Sequence, residues 1–384
     1  MSFPFTASSS VMTCHSPLLL LLGIFGLCSS FKICAFNVQN FDDAKAANFR
    51  VMHTLTRIVS RCDICLLQEV KDTQGNATKA LVEALNRYDA YHYKYVASGV
   101  LGRTPQDQEQ YVYLYRNETV ELTAQYQYVD RKEGNAAVFS RDPFVVRFQA
   151  KETVIGDFSL IPLHTMASDA IKEIDKLYDV FEEIKMKWNT ENVMFLGAFN
   201  AGCGHMTRQD KANIRLFSIP GFFWLIRDQV DTTVGDTTSC AYDRIVVHGE
   251  RFLKTIKPYS AQVFNIANEY KLSKERVISS LQTTFSFSLS NSYPSSKKPQ
   301  EKMYHPRHAK VTCFMSVSCV IDVMTQNKLI SKFQVLEVSD HFPIEVELKT
   351  KSSGQLQAPV QPLLLIALSV ITSALHILPS TSMV

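Results

Sequence analysis

Short apolar runs that finish on an amide, a carboxylate or a histidine recur along this chain, and this pattern constrains the fold more than any other feature. Phe31 to Val38 reads as a buried strand carrying Asn37, and Asp63 to Gln68 as another that leads into Glu69. Asp157 to Leu163 runs into His164, and Asn192 to Leu196 is followed closely by Asn200. Tyr242 to Val247 carries Asp243 near its start, and Phe342 to Leu348 comes directly after Asp340 and His341. Tyr111 to Tyr115 is a further strand. Helical spacing takes over between them: Phe49, Met52, Leu55, Ile58 and Val59 recur at three and four residues. Ile171, Ile174, Leu177, Val180, Phe181, Ile184 and Trp188 form one stripe between Ser168 and Trp188. Strands interspersed with helices predict an α/β chain, with two packed mixed β-sheets covered by helices in one domain. Polar residues at the ends of several strands are the usual way to gather distant side chains into one site. Taken singly, each has a plainer role: Asn37 and Asn200 as turn caps, Glu69 paired with Lys71, His164 as a satisfied core histidine.

The composition, 46% hydrophobic and 20% charged over 384 residues, is that of a globular protein and excludes collagen, coiled coil and bulk disorder. A net charge of +3 advertises no polyanion partner, so nucleic-acid binding needs a local patch. Both ends read as addresses. Leu18 to Leu27 is an apolar run of signal-peptide length, followed by small residues suited to cleavage before Phe31, which makes residues 1–30 a secretory signal. At the other end, Ser352, Ser353 and Gly354 are candidate attachment sites for a glycosylphosphatidylinositol anchor. They are followed by the spacer Gln355 to Pro362 and an apolar stretch, Leu363 to Leu378. An ordinary C-terminal membrane helix is the alternative for residues 351–384, although no Lys or Arg follows the apolar stretch. Either address places the body, residues 31–350, in the secretory pathway, at the cell surface, or in the endoplasmic reticulum or extracellular space. Candidate glycosylation sites at Asn76 and Asn117 suit that compartment. Nothing in the residues calls for an obligate oligomer.

Six segments, in order, carry a closer likeness: Phe36-Asn37, Leu67-Gln68-Glu69-Val70-Lys71-Asp72, Pro162-Leu163-His164-Thr165, Phe199-Asn200-Ala201-Gly202-Cys203, Cys240-Ala241-Tyr242-Asp243-Arg244 and Ser339-Asp340-His341-Phe342-Pro343. With them the chain resembles the deoxyribonuclease I family of the endonuclease/exonuclease/phosphatase superfamily, over nearly all of residues 31–348. Its two ends add a likeness to that family's membrane-anchored member. The resemblance implies a four-layer sandwich and a metal-dependent endonuclease that hydrolyses DNA to 5′-phosphate ends. It implies that Glu69 and Asn37 hold a divalent cation with Asp340 nearby. Hard oxygen ligands of this kind suit Mg2+ or Ca2+. It implies that His341, oriented by Asp243, activates water, and that His164, paired with Glu109, protonates the leaving oxygen. Asn200 and Arg141 would contact the phosphate, Lys71 would reach the minor groove, and Cys203 and Cys240 would form a disulfide. Cys34, Cys62 and Cys65, in or beside apolar strands, read as buried thiols.

Two departures matter. The family's Gly-Asp-Phe-Asn is Gly197-Ala198-Phe199-Asn200 here, so a core carboxylate is missing, and the DNA-stacking tyrosine expected just before Glu109 is replaced within Thr104 to Gln108. A surface protein that keeps the fold but lacks full catalysis is therefore the rival expectation. A lipid or inositol phosphate hydrolase of the same superfamily is disfavoured by the Cys240–Arg244 and Phe199–Cys203 segments. Residues 277–334 fit neither period, and their removal restores the family's spacing. A leading Val codon begins GT and Phe333-Gln334 can be encoded TTTCAG, so the stretch reads as a retained intron, with a true surface insertion as the alternative.

Overall fold

The computed structural model describes residues 30–130, 137–234, 238–270 and 337–351. Residues 1–29 of the signal, the 277–334 stretch and residues 352–384 of the C-terminal tail, with Ser352, Ser353 and Gly354, lie outside the described residues. Two six-stranded mixed sheets make up the frame. The first runs in the order β11 (Gln262–Val263), β12 (Ile344–Leu348), β1 (Phe31–Phe41), β2 (Ile64–Val70), β4 (Gln110–Arg116) and β3 (Tyr93–Ala97). The second runs β5 (Glu121–Gln127), β6 (Phe144–Gln149), β7 (Asp157–Pro162), β8 (Val193–Ala198), β10 (Asp243–His248) and β9 (Phe222–Trp224).

The period-2 alternation of a strand lets one run of apolar residues serve two cores. Ile33, Ala35, Ile64 and Leu66 face the second sheet and pack with Leu160, Met194, Leu196 and Ile245. Their neighbours Cys34, Phe36, Cys65 and Leu67 face the other way, under α2 (Phe49–Val59), which follows the short α1 (Asp43–Ala46), and α3 (Asn76–Tyr88). On the far side, α4 (Ala170–Trp188) buries Ile174, Leu177, Val180, Phe181 and Ile184 against Ile161, Phe195 and Val246. The helix stops where Asn189 takes a left-handed φ of 49°. The expected strands and helices stand with shifts of a few residues at their ends. Edge strand β5 had no continuous apolar run to mark it, because none of its residues is buried.

One expectation about the cysteines is overturned. Cys34 and Cys62 are joined in a disulfide, and only Cys65 is a free buried thiol among the described residues. Cys34 lies directly beside Cys65 in the parallel β1–β2 ladder, so the strand pattern alone did not choose its partner. Burial pushes the Cys65 thiol up to about 12, which keeps it protonated and inert. Cys203 and Cys240 form a second disulfide, tying the loop after β8 to the entry of β10.

Candidate active site

The parallel β1–β2 ladder runs in register from Ile33 opposite Ile64 to Asn37 opposite Gln68, and then breaks. At the break Gln39, Asn40 and Glu69 adopt left-handed φ values of 46°, 55° and 58°. Such backbone is costly for a side chain like Glu, about 1–3 kcal/mol, and persists only where surroundings impose it. Here they do. Asn37 Nδ2 donates to Glu69 Oε1 at 2.8 Å, the Asn40 N–H to Oε2 at 3.1 Å, and the Gln39 N–H to Asn37 Oδ1 at 2.9 Å. Lys45 Nζ closes the bend from behind, donating to the carbonyls of Val38 at 2.8 Å and Gln39 at 2.6 Å.

Two imidazole–carboxylate pairs flank Glu69. His164 Nδ1 lies 2.7 Å from Glu109 Oε1, and its Nε2 is 3.7 Å from Glu69 Oε1. His341 Nδ1 lies 2.7 Å from Asp243 Oδ2. Each pair bridges the two sheets. His164 follows β7 while Glu109 precedes β4, and His341 precedes β12 while Asp243 opens β10. Burial by itself would lower the His341 pKa, but the Asp243 charge and hydrogen bond outweigh it. Asp340 and Glu69 add to them, and the imidazolium is held up to about 9. Burial by itself would raise the Glu69 pKa. The charges of His164 and His341 and the hydrogen bonds from Asn37 and Asn40 reverse it, so the carboxyl lies below its ordinary value and is ionised at neutral pH.

The remaining expected residues take varied places. Asp340 is exposed beside His341. Asn200, at φ 50°, donates from Nδ2 to the Thr165 carbonyl at 2.8 Å. Arg141 is buried with Nε 2.8 Å from Glu109 Oε2, a charge contact that braces the His164–Glu109 pair. Lys71 Nζ donates to the Gln106 carbonyl at 2.8 Å, which ties its strand end to the 104–108 loop rather than to Glu69. Asn76 and Asn117 are both exposed, at the first residue of α3 and in the β4–β5 turn. Ala198 is fully buried and sits directly opposite Asp243 in the β8–β10 ladder.

Several working residues were not singled out from sequence. Ser339 Oγ donates to the Asn37 carbonyl at 2.7 Å and accepts the His341 N–H at 3.0 Å, fixing the Ser-Asp-His turn to β1. Thr232 Oγ1 accepts the N–H groups of Tyr242 and Asp243. The buried Arg244 donates to the carbonyls of Ala241, Ile226 and Ala201, locking three loops under the site. Ser339 and Arg244 lie inside the quoted motifs, and that adjacency was the available signal.

For a hard cation the donor set is an ionised Glu69, an exposed Asp340 and the Asn37 amide. One lone pair of Asn37 Oδ1 is already taken by Gln39. Among the described residues no three His, Cys, Asp or Glu side chains are grouped to enclose a metal ion. Oxygen donors of this kind fit a hard divalent cation, which carboxylates can hold together with waters and substrate phosphates.

A model of the Endonuclease/Exonuclease/phosphatase family matches residues 34–290. Deoxyribonuclease gamma of Homo sapiens is 41% identical over 288 residues, covering 74% of this chain and 94% of that protein. Deoxyribonuclease-1-like 1 of Chlorocebus aethiops is 41% identical, over 68% of this chain and 84% of that protein. Deoxyribonuclease-1 of Rattus norvegicus is 40% identical, over 67% and 90%. Identity this even does not choose among the three branches, and the narrower likeness to a membrane-anchored member rests on chain ends outside the described residues. Matches of this depth along most of each relative show that the chain belongs to the deoxyribonuclease I family, among the endonuclease/exonuclease/phosphatase proteins.

Proposed function

We propose that this chain is a divalent-metal-dependent endodeoxyribonuclease that hydrolyses DNA phosphodiester bonds to 5′-phosphate and 3′-hydroxyl ends. The observation that carries the reading is the pair of imidazole–carboxylate couples on either side of Glu69, each reaching from one sheet to the other. With Nδ1 committed to Asp243, His341 has Nε2 left to take a proton from the attacking water. With Nδ1 committed to Glu109, His164 has Nε2 left to give a proton to the departing 3′-oxygen. Asn200 and Arg141 would contact the phosphate, with Arg141 also bracing Glu109. Glu69 and Asp340, with the Asn37 amide, would hold Mg2+ or Ca2+, which supplies positive charge against the phosphate oxygens. A cation held there would offset the Glu69 and Asp340 charges, two of those that raise the His341 pKa beside the larger contribution of Asp243.

The two chain ends support delivery to the secretory pathway. They support retention at the cell surface by a lipid anchor at Ser352, Ser353 or Gly354, or by a C-terminal membrane helix. Release by a phosphatidylinositol-specific phospholipase distinguishes the two. Asn76 and Asn117 are the glycan positions. A second reading, a fold-preserving surface protein with little activity, is favoured by Ala198 alone. Plasmid nicking by secreted, tail-truncated protein in Mg2+ and Ca2+ tests the proposal, with chelator and His164→Ala as controls. Cleavage lost in both controls supports it, and no cleavage by the native chain favours the second reading.

A further inference from the structure

Most contacts between the two sheets are apolar, and apolar packing is non-directional. At the catalytic end two polar side chains of the first sheet cross the interface. Gln68, fully buried in β2, donates from Nε2 to the Leu163 carbonyl at 2.8 Å and accepts the Ala198 N–H on Oε1 at 2.9 Å. Tyr111, fully buried in β4, accepts the His164 N–H on its hydroxyl at 2.9 Å. The second sheet is shaped to receive Gln68. Gly197 has φ +126°, and a Cβ there would stand 2.5 Å from the Gln68 amide nitrogen and from the Leu163 carbonyl oxygen. The glycine that opens Gly197-Ala198-Phe199-Asn200 is thus a socket for the glutamine of Gln68-Glu69.

The gripped atoms lie next to the chemistry. Gln68 precedes Glu69, Leu163 precedes His164, Ala198 is two residues before Asn200, and Tyr111 is two residues after Glu109. Both imidazole–carboxylate pairs span the same interface, so a slide of one sheet over the other would open them. Hydrogen bonds, which weaken steeply with misalignment, resist such a slide where packing alone does not.

We infer that Gln68 and Tyr111 are positioning residues that fix the spacing of the two sheets at the active-site end, and so hold His164 and Asn200 in reach of Glu69 and Glu109. The kinetic consequence rests on the nuclease reading above; the geometric one does not. The test compares Gln68→Met, which keeps length and deletes both bonds, with Tyr111→Phe, which deletes one hydroxyl and keeps the ring. The native chain is measured beside them, and the Ala198→Asp background is used for kinetics if only that form cuts. Each variant is expected to lower kcat about 10- to 100-fold with KM within about twofold, as misplacement of a reacting group by about an ångström does. The imidazole nitrogen signals of His164 and His341, read by NMR on 15N-histidine-labelled protein, are expected to shift. A folded variant that keeps native kcat and native imidazole signals overturns the inference for that residue. If Gln68→Met does not fold, Tyr111→Phe decides the matter through the same two readouts. If no background cuts DNA, the nuclease reading fails, while the imidazole signals still support or overturn the positioning role.

Discussion

Replacing Ala198 with Asp puts a carboxylate back at a position whose surroundings can be worked out from the β8–β10 ladder. Ala198 lies directly opposite Asp243, and residues so opposed place their Cβ atoms about 4.5–5.5 Å apart on one face of the sheet. Two unit charges about 5 Å apart, at an effective dielectric constant of about 20, repel by about 3 kcal/mol. Asp243 is buried, so little solvent screens the repulsion, while the His341 imidazolium 2.7 Å from Asp243 Oδ2 offsets part of it. In chelator, Ala198→Asp is therefore expected to melt up to roughly 6–12 °C lower than the native chain, at roughly 2–4 °C per kcal/mol. If Glu69 and Asp340 hold a cation as proposed, Mg2+ is expected to recover most of that loss, because the new carboxylate would add to their charge. Nicking in Mg2+ is expected to rise by about 10²–10³-fold, the usual scale for restoring one electrostatic group to a transition state. The assay is paired: thermal denaturation in chelator and in Mg2+, with plasmid nicking on the same preparations. A variant that melts with the native chain in chelator, or gains stability without gaining cleavage, refutes the reading that a carboxylate at position 198 faces Asp243 and adds to the charge of the proposed metal site.

Other consequences follow from the same structure. The Cys34–Cys62 disulfide closes a loop of sequence separation 28, so Cys62→Ala is expected to cost about 3–4 kcal/mol in chemical denaturation. Peptide mapping without reduction should recover that linkage with Cys65 free. Glu345 is buried among Lys32, Arg61 and Gln262; burial would raise its pKa, but the hydrogen bonds from Arg61, Lys32 and Gln262 overcome it and hold the carboxyl below its ordinary value. A folded-state pKa that is lowered contributes stability above the unfolded value and loses it as pH falls through the folded one. Glu345→Gln is thus expected to cost about 3 kcal/mol at pH 7, and urea titrations should show that gap closing toward pH 3. Deleting residues 277–334, so that Arg276 meets Val335, is expected to leave the melting temperature unchanged or higher. A large drop would show that the segment is part of the folded domain.

Central strands were legible because burial on both faces writes a continuous apolar run, as in β1, β2, β8 and β10. The polar groups at their ends stood out against those runs, which is why Asn37, Glu69, His164, Asn200, Asp243 and His341 could be chosen. Edge strand β5 has no buried residue to announce it. What sequence does not carry is contact between elements far apart in the chain. Gln68 meets Leu163 across 95 residues and Ala198 across 130, and neither distance has a period to betray it. Cys34 had two candidate neighbours of equal character, and only the turn before β2 brings Cys62 to it. Arg141 and Lys71 were expected at DNA from the resemblance. The structure adds partners within the fold that no sequence pattern marks: Arg141 meets Glu109, and Lys71 the Gln106 carbonyl.

The most direct test of the central claim is the chemistry of the cut end. Supercoiled plasmid is nicked by the native, tail-truncated protein in Mg2+, and the nicked circles are treated with DNA ligase without any end repair. Proton transfer from His164 to the departing 3′-oxygen, with water activated by His341, predicts 5′-phosphate and 3′-hydroxyl ends that ligase seals at once. It also predicts that His164→Ala and His341→Ala yield no nicks above the chelator control. Nicks that ligase cannot seal, or nicking that survives both substitutions, would contradict the roles of His164 as acid and His341 as base.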